Sequence, residues 1–265
     1  MACTLEELHQ VHYNMLIKFA EYCDKHSLNY TLAFGTLLGA IRHNDIIPWD
    51  DDVDVIMDIT SFKKLVKLVK TDPIEGIYLQ WISSEKVYPL HFAKLRLNNT
   101  FMSEKLFDNL DVNKGVWIDI FVFYNKPDSE ILFSIQKILH EIFIRTNKMP
   151  LVKVDESLFG NMSLLRYRVC KRIPDCFISF IRKILFFLIS IMGNNHSEYV
   201  VQNDHFFTRQ RINFEPATKW RLRDSEFRIP KNYDKNLKDE YGADYMTPRK
   251  YDLHTDLDDV ILNIE

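Results

Sequence analysis

Five aspartates fall between Asp50 and Asp58 in the stretch PWDDDVDVIMD. The alternation of DVDVIMD (52–58) predicts a β-strand, and side chains alternate faces along a strand. Asp50, Asp52 and Asp54 would then share one face, with Asp51, Val53, Val55 and Met57 on the other. Carboxylates spaced in this way repel: at ~5 Å and an effective dielectric of about 20, one pair costs about 3 kcal/mol. A folded chain keeps such a cluster when a cation sits on it or when one carboxyl is protonated. Hard divalent ions such as Mg²⁺ favour an all-oxygen set and complete it with substrate phosphates. An acidic surface loop fits poorly, because the acids stand among Ile46, Ile47, Trp49, Val53, Val55, Ile56 and Met57. An EF-hand fails as well: its sixth position, normally Gly, is Val55, and its twelfth, normally Glu, is Ser61.

Upstream, FGT (34–36) stands at an expected strand-to-helix junction. Gly35 and Thr36 there would open backbone N–H groups at a helix start, a seat for phosphate. Arg42 and His43 close the same short helix and are placed to face the same anion. Downstream, Asp119 is a single carboxylate in the apolar strand GVWIDIFVFY. A metal shared with Asp52 and Asp54 would give it a partner, and a hydrogen bond in the core would do so too.

These features form a nucleotidyltransferase plan: a strand, Gly-Thr at a helix start, an Asp-x-Asp strand and a third Asp on a later strand. The stretch FGTLLGAIRHNDIIPWDDDVDVIMD also resembles the LicD family of phosphocholine transferases, whose relatives include fukutin and fukutin-related protein. Lys94 in HFAKLRL, WIDIF around Asp119, and FRIPKNYDKNL leading to YGADYMTP and His254 extend the likeness. It covers about 5 to 125 and 214 to 254.

The resemblance implies transfer of a phospho-alcohol from a CDP-activated donor to a hydroxyl of a cell-surface glycan or teichoic-acid precursor. Phosphocholine leads, with ribitol or glycerol phosphate as alternatives. By the same resemblance Asp52, Asp54 and Asp119 would bind Mg²⁺ (or Mn²⁺), and Asp119 would double as general base. Gly35 and Thr36 would hold donor phosphates, while Arg42, Lys94 and His43 would offset their charge. The roles of Asp50 and His254 stay open.

The elements that must position these residues follow from pattern. Thr4 and Glu7 form a capping box, and apolar residues at helical spacing predict a helix over 5–26. Strands are expected at 30–34, 77–82, 90–97 and 115–124, and a helix over 61–70 that Pro73 stops. The fold class is α+β: a nucleotidyltransferase-like mixed sheet with flanking helices, a helical insertion and an irregular C-terminal segment. We divide the chain into a catalytic core (1–127), a helical basic and apolar segment (128–212) and a C-terminal segment packing back on the core (213–265).

Composition narrows the classes. The 265 residues carry 34 Lys and Arg against 37 Asp and Glu, which argues against a nucleic-acid partner. Between 131 and 192 the local balance is +6, and FISFIRKILFFLISIM (177–192) is its most apolar run. Arg182 and Lys183 interrupt that run, so it is too short and too charged to span a membrane. Peripheral contact with an anionic membrane and ordinary core packing both fit it. The four cysteines show no C-x-x-C, and MACTLEELHQ has no apolar run. Both point to reduced thiols and a cytoplasmic location, at the inner face of the membrane where a lipid-linked acceptor would be met. His9 and His12 read as a surface pair. Trp49, Trp81, Trp117 and Trp220 offer π faces for a quaternary ammonium, with core burial as the other reading. A glycosyltransferase using Asp-x-Asp to hold a nucleotide sugar is the rival enzyme. It usually needs about 100 residues of α/β fold before the motif, and only 51 precede Asp52.

Overall fold

Thr4 opens the first helix as its capping box predicts. Its hydroxyl accepts from Glu7 N at 3.2 Å, and the Glu7 carboxylate accepts from Thr4 N at 2.8 Å. Helix α1 runs Leu5–His26 and ends at Ser27, which turns left-handed at φ 51. The computed structural model describes residues 3–154, 171–202, 208–250, 253 and 255–263. Cys170 and His254 lie outside the described residues. The three described cysteines, Cys3, Cys23 and Cys176, are free.

A mixed sheet forms the centre. Strands β1 (Thr31–Leu32), β2 (Asp54–Asp58), β3 (Ile77–Gln80), β4 (Ala93–Leu97) and β6 (Trp117–Asn125) lie in the order β1-β2-β6-β4-β3. Only β2 and β6 are parallel; β1–β2, β6–β4 and β4–β3 are antiparallel. The short β5 (Phe101–Met102) pairs outside this sheet with β11 (Val260–Ile261). Period-2 alternation divides the sheet into two faces. Val55, Met57, Ala93, Leu95, Ile118, Ile120, Val122 and Tyr124 belong to the main core, against which α1 and α3 (Ile59–Leu68) pack. Ile56, Phe121 and Phe123 take the other face, in a smaller cluster with Ala33, Phe34, Val200 and Phe214.

Several boundaries differ from the sequence expectation, two of them beside the acids. The strand begins at Asp54 rather than Asp52, because Asp50 N closes a turn on Ile47 O at 2.9 Å. Asp50, Asp51 and Asp52 therefore belong to a bent approach and not to one strand face. Helix α3 begins at Ile59 because Asp58 caps it, accepting from Thr60 N at 2.8 Å and Ser61 N at 2.9 Å.

The segment after β6 contributes α4 (Glu130–Asn147), α5 (Met149–Val154) and α6 (Asp175–Ile191), with α4 and α6 packed together. It also contributes strands, which its helical pattern had hidden. β7 (Tyr199–Gln202) pairs with the far end of β6, on the edge that β4 uses at the near end, and β8 (Thr208–Gln210) adds to β7. Arg182, in the middle of α6, is not solvated. It is fully buried and donates to the carbonyl oxygens of Tyr88 and Lys86. No helix among the described residues is long and apolar enough to cross a membrane.

The C-terminal segment folds as a hairpin, β9 (Ala217–Leu222) with β10 (Ser225–Pro230), then α7 (Tyr233–Tyr241). It returns to the first 60 residues. Trp220 Nε1 donates to Ala40 O at 3.2 Å, Arg223 pairs with Asp45 at 2.7 Å, and Trp49 Nε1 donates to Arg249 O at 3.1 Å.

Helix α2 (Phe34–Arg42) lies against β2 and presses on the loop that leads into it. At Gly39 a Cβ would stand 2.6 Å from Asp45 O and 3.0 Å from Ile47 N, both main-chain atoms. Gly39→Ala should therefore lower stability by about 1–3 kcal/mol through overpacking, read as a fall in the urea midpoint at unchanged slope.

Candidate active site

The parallel register of β2 and β6 sets Asp54 directly opposite Asp119. The antiparallel register on the other side of β6 sets Lys94 opposite Asp119, and Gln80 opposite Lys94. One transverse row thus crosses four strands on one face: Asp54, Asp119, Lys94, Gln80. All four side chains are buried. Main-chain bonds fix Asp54 from both sides. Its N–H donates to Thr36 Oγ1 at 2.7 Å, and its carbonyl accepts from Ala33 N at 3.1 Å.

Lys94 Nζ lies 2.8 Å from Asp119 Oδ1 and 3.1 Å from Glu104 Oε2. Glu104 also pairs with Arg96, which donates to Gln80 Oε1 at 2.7 Å and Gly115 O at 2.8 Å. The two cations lie over Trp117, Lys94 at 4.2 Å and Arg96 at 4.9 Å from the ring centre. Asp119 thus has a charge partner within the protein, at the end of an ion chain. Sequence reasoning missed Glu104 and Arg96. Lys94 and Arg96 stand at i, i+2 on one strand face, which was a usable signal; Glu104 sits in a connection and gave none.

Burial is the main electrostatic cause at this site. It pushes the Asp54 carboxyl well above the usual carboxylate range, helped by Asp52, Asp119 and Asp50 and opposed by Lys94. Burial likewise pushes Asp119 up to about 6, against the pull of Lys94, with Glu104 and Asp52 adding to the rise. Tyr241, at the end of α7, is raised by burial and then by the field of Asp54, so the C-terminal segment borders the acids.

The donor chemistry bears on the metal. Two carboxylates stand side by side with Asp52 near enough to raise both, a field that a cation would relieve. Among the described residues no three His, Cys, Asp or Glu gather closely enough to hold an ion alone. That set fits Mg²⁺, which takes one or two carboxylates and fills the rest of its shell with phosphate and water.

The other predicted residues have definite places. Gly35 and Thr36 lie in the first turn of α2, where N–H groups have no partner four residues back. Arg42 ends that helix, about 9 Å further along its axis. Its Nε donates to His43 Nε2 at 2.9 Å and its Nη1 to Tyr245 O at 3.0 Å, beside Trp49. Asp50 is buried, and its carbonyl lies 2.6 Å from His9 Nε2. Asp51 is structural: its carboxylate accepts from Thr255 N at 2.6 Å.

His9 and His12 correct the surface reading, since both are buried. His9 supports the acidic approach, and His12 lies under β6. Trp81 and Trp117 are buried, so neither can cage a ligand. The accessible rings beside the acid row are instead Phe34, Phe92 and Phe121, all half-buried.

Comparison with known proteins covers the same stretch of chain. The family described as LicD/FKTN/FKRP, nucleotidyltransferase domain, matches residues 27–154, which include the whole row. Residues 27–154 are thus similar to a LicD-type nucleotidyltransferase domain. It is similar to the Lipopolysaccharide cholinephosphotransferase LicD of Haemophilus influenzae, at 25% identity over 92% of this chain and 91% of that protein. An uncharacterized protein of Rickettsia typhi is 44% identical over 57% of this chain and 40% of its own length. The LicD-type domain and the sheet that carries it confirm the α+β fold class read from the sequence.

His12 gives this region a pH signature. Burial, with His9 beside it, lowers its pKa to about 3, against about 6.5 in an unfolded chain. The unfolded state then binds the extra proton, so this contribution is complete above about pH 6.5 and is lost as pH falls towards 3. Denaturant unfolding should show stability falling on acidification by up to about 1.4 kcal/mol per pH unit from this group. His12→Leu should remove that component of the slope.

Proposed function

We propose that this protein is a Mg²⁺- or Mn²⁺-dependent transferase that moves phosphocholine from CDP-choline to a hydroxyl of a glycan. The observation that carries the reading is the buried Asp54–Asp119–Lys94 row inside a LicD-type domain. The relative named a lipopolysaccharide cholinephosphotransferase supports choline as the alcohol and a lipid-linked glycan as acceptor. CDP-ribitol and CDP-glycerol are the alternative donors of the same chemistry.

Asp54 and Asp119, with Asp52 beside them, would hold the ion. When bound, it supplies Lewis-acid stabilisation of phosphoryl charge. The N–H groups of Gly35 and Thr36 face donor phosphate at the start of α2. Lys94, held by Glu104, keeps the Asp119 carboxylate in place and offsets phosphate charge. Asp119 takes the proton of the acceptor hydroxyl. The acceptor oxygen then bonds to the phosphorus that carries choline, and the bond from that phosphorus to CMP breaks. CMP leaves with the bonding electron pair. No covalent enzyme intermediate is required, because phosphoryl transfer depends chiefly on positioning and charge.

The acceptor reading also accounts for the helical segment. α4 exposes Ile131, Ile135, Ile138 and Ile142 along one stripe, and α6 exposes Phe177, Phe180, Ile184, Phe187 and Ile191 along another. Exposed Lys137, Arg145, Lys148, Arg172 and Lys183 lie on or beside these helices. An apolar face with basic neighbours matches an anionic lipid surface. A second copy would bring like charges together.

CMP release from a panel of CDP-alcohols tests the transfer. Release from CDP-choline with Mg²⁺ or Mn²⁺ is expected, whereas UMP release from UDP-sugars alone would favour the glycosyltransferase. Asp54→Asn should lower the rate by orders of magnitude, yet be at least as stable as the wild type in EDTA because one repelling charge is gone. Mg²⁺ at a hundred times its Kd should stabilise the wild type by about 2.7 kcal/mol. Asp54→Asn should lose most of that gain, and a variant that keeps both gain and rate would remove Asp54 from the site. Separately, the protein should bind anionic vesicles, more weakly as salt rises, and Phe180→Glu with Phe187→Glu should abolish that binding.

A further inference from the structure

The row next to the acids on the same face is aromatic. Phe121 stands two residues beyond Asp119 on β6, about 7 Å along the strand. Phe92 stands two residues before Lys94, where the chain enters β4. Its ring stacks on Phe121 at 4.7 Å with 29° between planes. The ring of Phe34 meets Phe121 edge-on at 5.0 Å and 79°. The neighbouring Ile56 and Phe123 are closed to solvent, but these three rings are only half-buried. They form an open aromatic corner beside the candidate phosphate site.

Phe34 is held there under strain. Its φ is +45, in the left-handed region that a bulky side chain rarely adopts. Glycine would relieve the backbone, at the loss of the ring. Strain of this kind persists where the surroundings fix it, and it gathers at ligand clamps. Residue 34 immediately precedes the Gly35-Thr36 turn, so the same twist that starts α2 aims the ring at Phe121.

We propose that Phe34, Phe92 and Phe121 form the subsite for the quaternary-ammonium head of the transferred group. This rests on the phosphocholine reading above. A trimethylammonium has no N–H to donate and carries a diffuse charge, so aromatic faces recognise it where hydrogen-bonding groups do not. Lys94 Nζ lies 5.6 Å from the centre of the Phe92 ring but is drawn towards Asp119 and Glu104, so the ammonium head is assigned chiefly to Phe34 and Phe121, with Phe92 backing Phe121. The hydroxyls of glycerol or ribitol would meet rings with nothing to bond, so the corner selects against those alcohols.

The test is calorimetry on the full chain with Mg²⁺ and CMP, using phosphocholine and glycerol phosphate as probes. The wild type should prefer phosphocholine. Phe34→Leu and Phe121→Leu, which keep apolar bulk and remove the π face, should each weaken phosphocholine about tenfold and leave glycerol phosphate unchanged. Phe34→Tyr should retain the preference. If Phe34→Leu fails to fold, Phe121→Leu carries the test. Equal weakening of both probes, or of CMP, overturns the proposal and assigns the rings to the nucleobase or the scaffold. A wild type without preference overturns it as well. Selective phosphocholine binding without CMP release from CDP-choline would uphold the subsite and refute the transfer. CMP release unaffected in the leucine variants would do the reverse.

Discussion

The parallel pairing of β2 with β6 places two carboxylates side by side in a dry sheet, and much of the site answers that fact. Burial is the larger reason that both are shifted upwards, and neighbouring carboxylates add to it. Lys94 opposes the shift from the Asp119 side. Lys94 is in turn steadied by Glu104, and Glu104 by Arg96. Arg96 ends on Gln80 and a main-chain carbonyl, where the charge chain meets neutral groups. The other side, at Asp54, has no comparable lysine in its row.

Much of this was legible in the sequence, and the reasons differ by residue. Asp54 and Asp119 stood out because a carboxylate in an alternating apolar strand is a local anomaly. The capping box at Thr4 was legible because both its bonds lie within one turn. Alternation could not show where β2 begins, because the turn from Ile47 to Asp50 consumes hydrogen bonds that pattern alone cannot count. Asp51 and Asp58 carry the same charge as Asp54 but hold a distant N–H and a helix end, respectively. His9 and His12 looked exposed at i, i+3, but the approach at Asp50 covers His9 and the sheet covers His12. The tryptophans drew attention as aromatic surfaces, yet the accessible rings near the acids are phenylalanines brought together from positions 34, 92 and 121.

The helical segment shows how one residue can change the meaning of a pattern. Arg182 interrupts the most apolar run of the chain, and on composition it counts towards a basic surface. In the fold it is the anchor of α6, inserted among the carbonyls of 86 and 88. Its burial orients the helix, so that the opposite side, from Phe177 to Ile191, is turned to solvent. A charge in the middle of an apolar helix thus creates the exposed apolar face rather than diluting it.

The matched domain, 27–154, holds the acid row but not all that supports it. Asp51 needs the N–H of Thr255, and Arg42 needs the carbonyl of Tyr245. Tyr241 borders the acids from α7, and the hairpin of β9 and β10 ties down the loop through Asp45 and Ala40. These contacts bridge about 180 to 200 residues of chain, so they form only when the C-terminal segment returns. Their common target is the 40–51 stretch, the bent approach that delivers Asp52 and Asp54 to β6. The sheet fixes the Asp54–Asp119 pair, and the C-terminal segment fixes the approach beside it. Similarity to the Haemophilus protein over 92% of this chain, well beyond the domain itself, follows naturally if the approach and the row work as one unit.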